Sequence, residues 1–435
     1  MKLIRLLKRD LASEVHDWVE NGVISEEQGG QICARYGIDY RHPDEGIMGY
    51  RVLVVLGLLF IGLALLTLVG ANWEDIPRWL RTTGLVFLVL AANLRGWFSY
   101  RAGARSAAVG WVFLGSLFYG SAIMLIAQIY HIGEHFPDGI RWWALGVLPL
   151  ALLLESGLLT ALMLLLAFIW FFVETGQHFY PLWFPVFLAA AAYYLYRQGQ
   201  SNVLFIGLIA GVGLFAEYTL SWFMADSPGF KLGQENVVLA GGLILLFQGL
   251  AGWLGSQTSP KAVDYASLLK IWVLRFFIIY LMYFSFSGPW DKLLDADWYI
   301  LEQTLVLVGL LSLLAVSLVR EGGAERFSVI LASVIFWGLL GSALGVADGG
   351  FAVWFQVTAN LLLVGVGVWL IVAGIRARTS AYFHMGVGVI LLTGLLRYID
   401  LVGDYLGATL LFAVFAVILL SAARFWKAIY RENAA

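Results

Sequence analysis

From residue 51 onward the chain is a succession of apolar runs, most about twenty residues long, the length a helix needs to cross about 30 Å of hydrocarbon. The runs fall at 51–70, 79–98, 106–130, 141–154, 157–174, 179–196, 202–224, 236–255, 266–286, 299–319, 326–346, 351–375, 381–401 and 405–425. That pattern predicts an all-α, polytopic transmembrane helix bundle of about 14 spans with short connectors. The runs 141–154 and 157–174 depart from it, being too long together for one straight helix and short for two spans, with Pro149 between them. Two readings stay open: two spans, or a re-entrant pair that places Glu155 deep in the membrane.

The first residues break the pattern, because no long apolar run precedes residue 51. Leu3, Leu7 and Leu11 share one helical stripe flanked by Lys2, Arg5, Lys8 and Arg9, an arrangement suited to an anionic membrane surface. Farther on, Asn21-Gly22 reads as a turn and Ser25 with Gln28 as a capping box opening a second helix. The chain therefore divides into a cytoplasmic helical hairpin (1–47), a transmembrane domain (48–425) and a C-terminal tail (426–435). The hairpin either packs on its own membrane face or offers residues 1–45 to a cytoplasmic protein partner.

Composition strengthens the membrane reading: 61% of residues are hydrophobic, 13% are charged, and eighteen are Trp. Basic residues set the orientation. With the N-terminus inside, inner segments carry twenty Lys and Arg and outer segments six, which predicts an even number of spans and both termini cytoplasmic. Cys33 is the only cysteine, so neither an intramolecular disulfide nor a cysteine metal cluster is expected. The net charge of −2, without a basic soluble domain, gives no case for nucleic acid, and no motif calls for a cofactor.

Several stretches carry a resemblance. "VHDWVENGVISEEQGGQICARYG" (15–37) and "VGANWEDIP" (69–77) are similar to the start of bacterial multi-pass membrane proteins grouped as domain of unknown function 2157. "LIAQIYHI" (125–132), "WWALGVLPLALLLES" (142–156) and "RYIDLVGDYL" (397–406) resemble later landmarks of that group. The resemblance implies a bacterial inner-membrane protein with an N-terminal cytoplasmic helical region, and brings no reaction, substrate or cofactor.

Candidate chemistry lies where ionisable groups enter apolar runs, since a charge at membrane depth costs about 3 kcal/mol or more and needs a partner or water. Glu217 and Arg275 are two such groups, on runs of the same direction and about one turn apart in depth, close enough for a long Arg side chain to bridge. We expect them to form a candidate intramembrane polar site, with two readings open: a proton- or substrate-linked pair, or a structural ion pair or an Arg that snorkels towards carbonyls or a headgroup. An outer-face polar cluster is expected from Glu74, Asp75, Gln128, His131 and Glu134. Within it, His131, Glu134 and His135 follow the order H-x-x-E-H of inverted zinc proteases. Gly133, Pro137 and Gly139 disfavour the helix this chemistry needs, so the motif reads as a polar loop and no enzyme is expected. Glu302, Glu174 and Arg397 are placed near outer helix ends, close to water. The G-x-x-x-G spacings at 207–211, 341–345 and 403–407 point to close helix approach. Three functions follow in order: a transporter-like or channel-like protein for a small solute or ion, a membrane scaffold or sensor acting through the hairpin, and an intramembrane metalloenzyme.

Overall fold

The computed structural model describes residues 14–36 (less 17), parts of 53–63, 77–133, 135–197, 200–224, 233–294, 298–319, 323–344, 351–376 and 380–400. Among the described residues every regular element is a helix, as expected where backbone groups must be satisfied within their own segment. In chain order these are α1 Glu26–Tyr36, α2 Arg78–Arg101, α3 Arg105–Tyr130, α4 Pro137–Leu153, α5 Gly157–Gly176, α6 Phe184–Arg197 and α7 Asn202–Met224. There follow α8 Gln234–Gly255, α9 Pro260–Tyr283, α10 Ser287–Leu294, α11 Trp298–Leu318, α12 Gly323–Leu344, α13 Ala352–Arg376 and α14 Ser380–Asp400. Nine of those described (α3, α5, α7, α8, α9, α11, α12, α13 and α14) are long and apolar enough to cross a membrane. By contrast, α2 has the length but carries Arg78, Arg81, Arg95 and Arg101, and α4 and α6 are short, at 17 and 14 residues. The run 405–425 lies outside the described residues, and 51–70 is helical where described.

The chain divides into two compact units between Trp170 and Phe171, inside α5. In the first unit the N-terminal hairpin buries Val15 against Cys33, with Val19, Ile24 and Ile32 around them. Its capping box forms in both directions: the Gln28 N–H donates to Ser25 Oγ at 3.2 Å, and the Ser25 N–H donates to Gln28 Oε1 at 2.9 Å. Farther along, α2 lies along α3, and α3 along α4. The α3–α4 pair interlocks reciprocally, with Trp143 of α4 filling the space over Gly120 and Tyr119 of α3 filling the space over Gly146. Trp143 Nε1 also donates to the Ser116 carbonyl at 2.8 Å.

The 141–174 stretch resolves into two helices joined by a tight turn at Leu154–Ser156, where Glu155 takes a positive φ of 46°. Pro149 sits inside α4 without ending it. Glu155 reaches Arg105 at 3.3 Å, and both side chains are exposed. Because Arg105 opens α3, the turn is level with the α3 N-terminus, and α4 runs back along α3 for about 26 Å. Of the two helices, α5 has the length of a span, and α4, at 17 residues, falls just short of one.

In the second unit α8 is central, touching α7, α9, α11 and α12. Its core gathers Leu220, Val238, Leu239, Phe284, Trp290, Leu293, Val308 and Ala359. The sequence reading missed α10. Trp290 and Leu293, three residues apart on one face, bury it, and Trp290 Nε1 donates to the Phe284 carbonyl at the end of α9.

Close helix approach uses glycines seven residues apart. A Cβ on Gly242 would meet Val308, and one on Gly249 would meet the Ala315 backbone at 2.5 Å, so α8 lies against α11 along a seven-residue repeat. Likewise Gly367 and Gly374 of α13 face Gly386, Ile390 and Phe383 of α14. This corrects the G-x-x-x-G expectation at 341–345: a Cβ on Gly341 would meet open space. In the 403–407 pair, both glycines lie outside the described residues, as does Gly345.

Two outcomes follow from this packing. Gly386→Leu overfills the α13–α14 contact and lowers stability by about 1–3 kcal/mol, whereas Gly341→Leu changes it little; thermal unfolding of the purified protein separates the two. Ser25→Ala removes the capping box at a cost of about 1 kcal/mol to the hairpin, read as faster amide exchange in the first turn of α1.

Candidate intramembrane polar site

Glu217 lies on α7 about 10 Å before that helix ends, level with the first turn of α8. Asn236, in that first turn, is 2% exposed. Its Nδ2 donates to the Glu217 backbone carbonyl and to Glu217 Oε2, both at 2.9 Å. Its Oδ1 accepts the Gly233 N–H at 3.2 Å, closing the N-terminus of α8. One amide therefore ties the helix cap to the carboxyl, and the positive end of the α8 dipole lies beside the carboxyl. Glu217 Oε1 is buried and has no hydrogen-bond partner among the described residues.

Aromatic packing holds α7 around this point. Tyr218 donates to the Phe179 carbonyl at 3.2 Å, and the Tyr180 and Thr219 hydroxyls pair at 2.9 Å. Tyr180 is within 6.3 Å, centroid to centroid, of Phe215, Tyr218, Trp222 and Phe223. On α9, Tyr280 packs against α8, its hydroxyl 2.9 Å from where a Cβ on Gly241 would stand. It also lines a cavity of about 50 Å³ with Val238, Phe284, Trp290, Phe336 and Ala359, room for water if polar partners are present.

The two groups proposed from sequence are not joined as an ion pair among the described residues. Arg275 sits on an exposed face of α9 with its guanidinium 5.0 Å from the Trp272 ring, while the Glu217 carboxylate takes Asn236. Depth alone suggested the pairing, and the rotation of α9 about its axis decides against it. Asn236 was missed because it opens an apolar run, where a polar residue reads as a boundary; Gly233 three residues earlier was the available signal for a cap.

Two charged residues expected near water are buried: Glu174 at 6% exposure and Arg397 at 7%. Arg397 stacks over Phe286 at 4.6 Å and donates to Ser285 Oγ at 3.4 Å. Asn360 donates to the Ser285 carbonyl at 3.0 Å, which links α13 to the end of α9 and, through Ser285, to α14.

Gln128 and His131 are exposed at the end of α3, and Glu74, Asp75 and Glu134 lie outside the described residues. His131 ends α3 in a left-handed conformation (φ 52°), and Gly133 follows at φ 112°. His131 and His135 therefore do not share one helical face, which the inverted zinc motif requires.

A family model described as a predicted membrane protein of domain of unknown function 2157 matches residues 16–160. The matched stretch takes in residues 16–47 of the N-terminal region, "VGANWEDIP" and "WWALGVLPLALLLES"; "RYIDLVGDYL" lies beyond it. No curated protein and no solved structure shows significant similarity to the chain.

The linkage through Asn236 has a measurable consequence. Asn236→Ala removes three hydrogen bonds at a buried position and lowers stability by about 2–4 kcal/mol, whereas Glu217→Gln keeps an acceptor for Asn236 and costs less. Equal losses of thermal stability in the two variants would contradict the linkage.

Proposed function

We propose that this multi-pass protein resides in the bacterial inner membrane with both termini cytoplasmic, and is transporter-like or channel-like for a small solute or ion. In this reading Glu217 is the group that takes up and releases a proton or a cation at Oε1. The observation that carries it is a carboxyl inside a helix of membrane-spanning length, with one oxygen held by a buried amide and the other buried and unpartnered among the described residues. Ionisable groups at such depth mark ion and proton pathways more often than packing alone explains. Arg275, exposed on α9, has no part in the exchange. His131 and His135 have none either, and no catalytic reaction is proposed.

A second reading rests on the hairpin. Its core is self-contained, and Val23 on it is 69% exposed, which suits a scaffold or sensor that docks a cytoplasmic protein through residues 1–45.

The test uses the full chain in liposomes, following internal pH and sodium or potassium with dyes under an imposed gradient. Flux in the wild type that Glu217→Gln abolishes and Glu217→Asp partly restores is the expected result. Equal flux in wild type and Glu217→Gln overturns the first reading. No wild-type flux, with function in cells lost on deleting residues 1–45 from a protein that still folds, establishes the second.

A further inference from the structure

A groove of about 480 Å³ opens where α9 gives way to α10, within the range of small-ligand pockets, about 300–1,000 Å³. Its wall is apolar: Ile279 and Tyr283 on the exposed face of α9, Met282 and Phe286 partly buried beneath them, and Leu396 from α14. Gly288 and Pro289 form its rim, and Lys292, exposed, is the charged residue lining it. Asp291 is also exposed but is not part of the lining. Both α9 and α14 are long and apolar enough to span a membrane, and in a bilayer that they cross an uncovered face of this kind would meet acyl chains. An apolar slot ending in one lysine, with an aromatic ring beside it, matches a lipid whose tail is apolar and whose head is anionic.

We propose that this groove binds an anionic phospholipid, with an acyl chain along Ile279, Met282 and Leu396 and the headgroup phosphate against Lys292. Arg397, buried behind Phe286, adds positive charge to the same end of the helices. The site is distinct from Glu217 and stands whether or not that group carries an ion.

The experiment is native mass spectrometry of the full chain in neutral detergent, titrated with dioleoyl-phosphatidylglycerol or dioleoyl-phosphatidylcholine. Wild type is expected to retain the anionic phosphatidylglycerol in preference to the zwitterionic phosphatidylcholine. Lys292→Ala should lose about fivefold of that affinity, the worth of one lysine near a lipid phosphate, and Lys292→Arg should keep it. Leu396→Trp, which fills the slot, should weaken both lipids; if it fails to fold, Ile279→Trp on the exposed wall replaces it. Equal retention of the two lipids by wild type, or an unchanged preference in Lys292→Ala, overturns the proposal. So does binding indifferent to the slot-filling variants, the result expected if the chain's own 405–425 run fills the groove.

Discussion

Hydrocarbon offers a peptide group no hydrogen bonds, and most of this structure follows from that. Each span must close its own backbone bonds, so the described elements are helices, and their ends and side-chain polar groups become the places where something has to be satisfied. Asn236 answers two such needs at once. It closes the N-terminus of α8 through Gly233, and it supplies a donor to the carboxyl of Glu217 on the neighbouring helix. The same economy appears at the far end of α9, where Trp290 satisfies the Phe284 carbonyl and Asn360 that of Ser285.

Without a hydrophobic force between helices in lipid, association depends on close packing and interhelical hydrogen bonds. The seven-residue glycine spacing on α8 and α13 puts small residues along one seam, which lets Ala315 and Gly386 approach at backbone distance. Large residues do the complementary work in the first unit, where Trp143 and Tyr119 each fill a glycine notch on the opposing helix. Both solutions give tight contacts, each within its own unit.

Much of the fold was legible in the sequence because run length and helix length are the same quantity in a bilayer. The limits of α3, α7 and α11 fall within a residue or two of the apolar runs, and the Ser25–Gln28 box forms as the spacing suggests. The site was legible only in part. Glu217 stood out as an ionisable group in an apolar run, but its partner did not, because depth can be read along one helix while the azimuth of a second helix cannot. For the same reason height alone pairs Arg275 with Glu217 although Arg275 is exposed, and position alone puts Arg397 near water although it is buried against Phe286. Four-residue glycine motifs misled at Gly341, since spacing alone does not say which face meets a neighbour.

The central claim is that Glu217 changes its protonation or its bound cation while Asn236 holds it in place. Infrared difference spectroscopy of the purified full chain, on changing pH or adding sodium or potassium, reads the carboxyl C=O stretch directly. A band that responds to the proton or the cation and vanishes in Glu217→Gln is the predicted result. A response unchanged in Glu217→Gln, or no carboxyl band that moves while the protein stays folded, would contradict it.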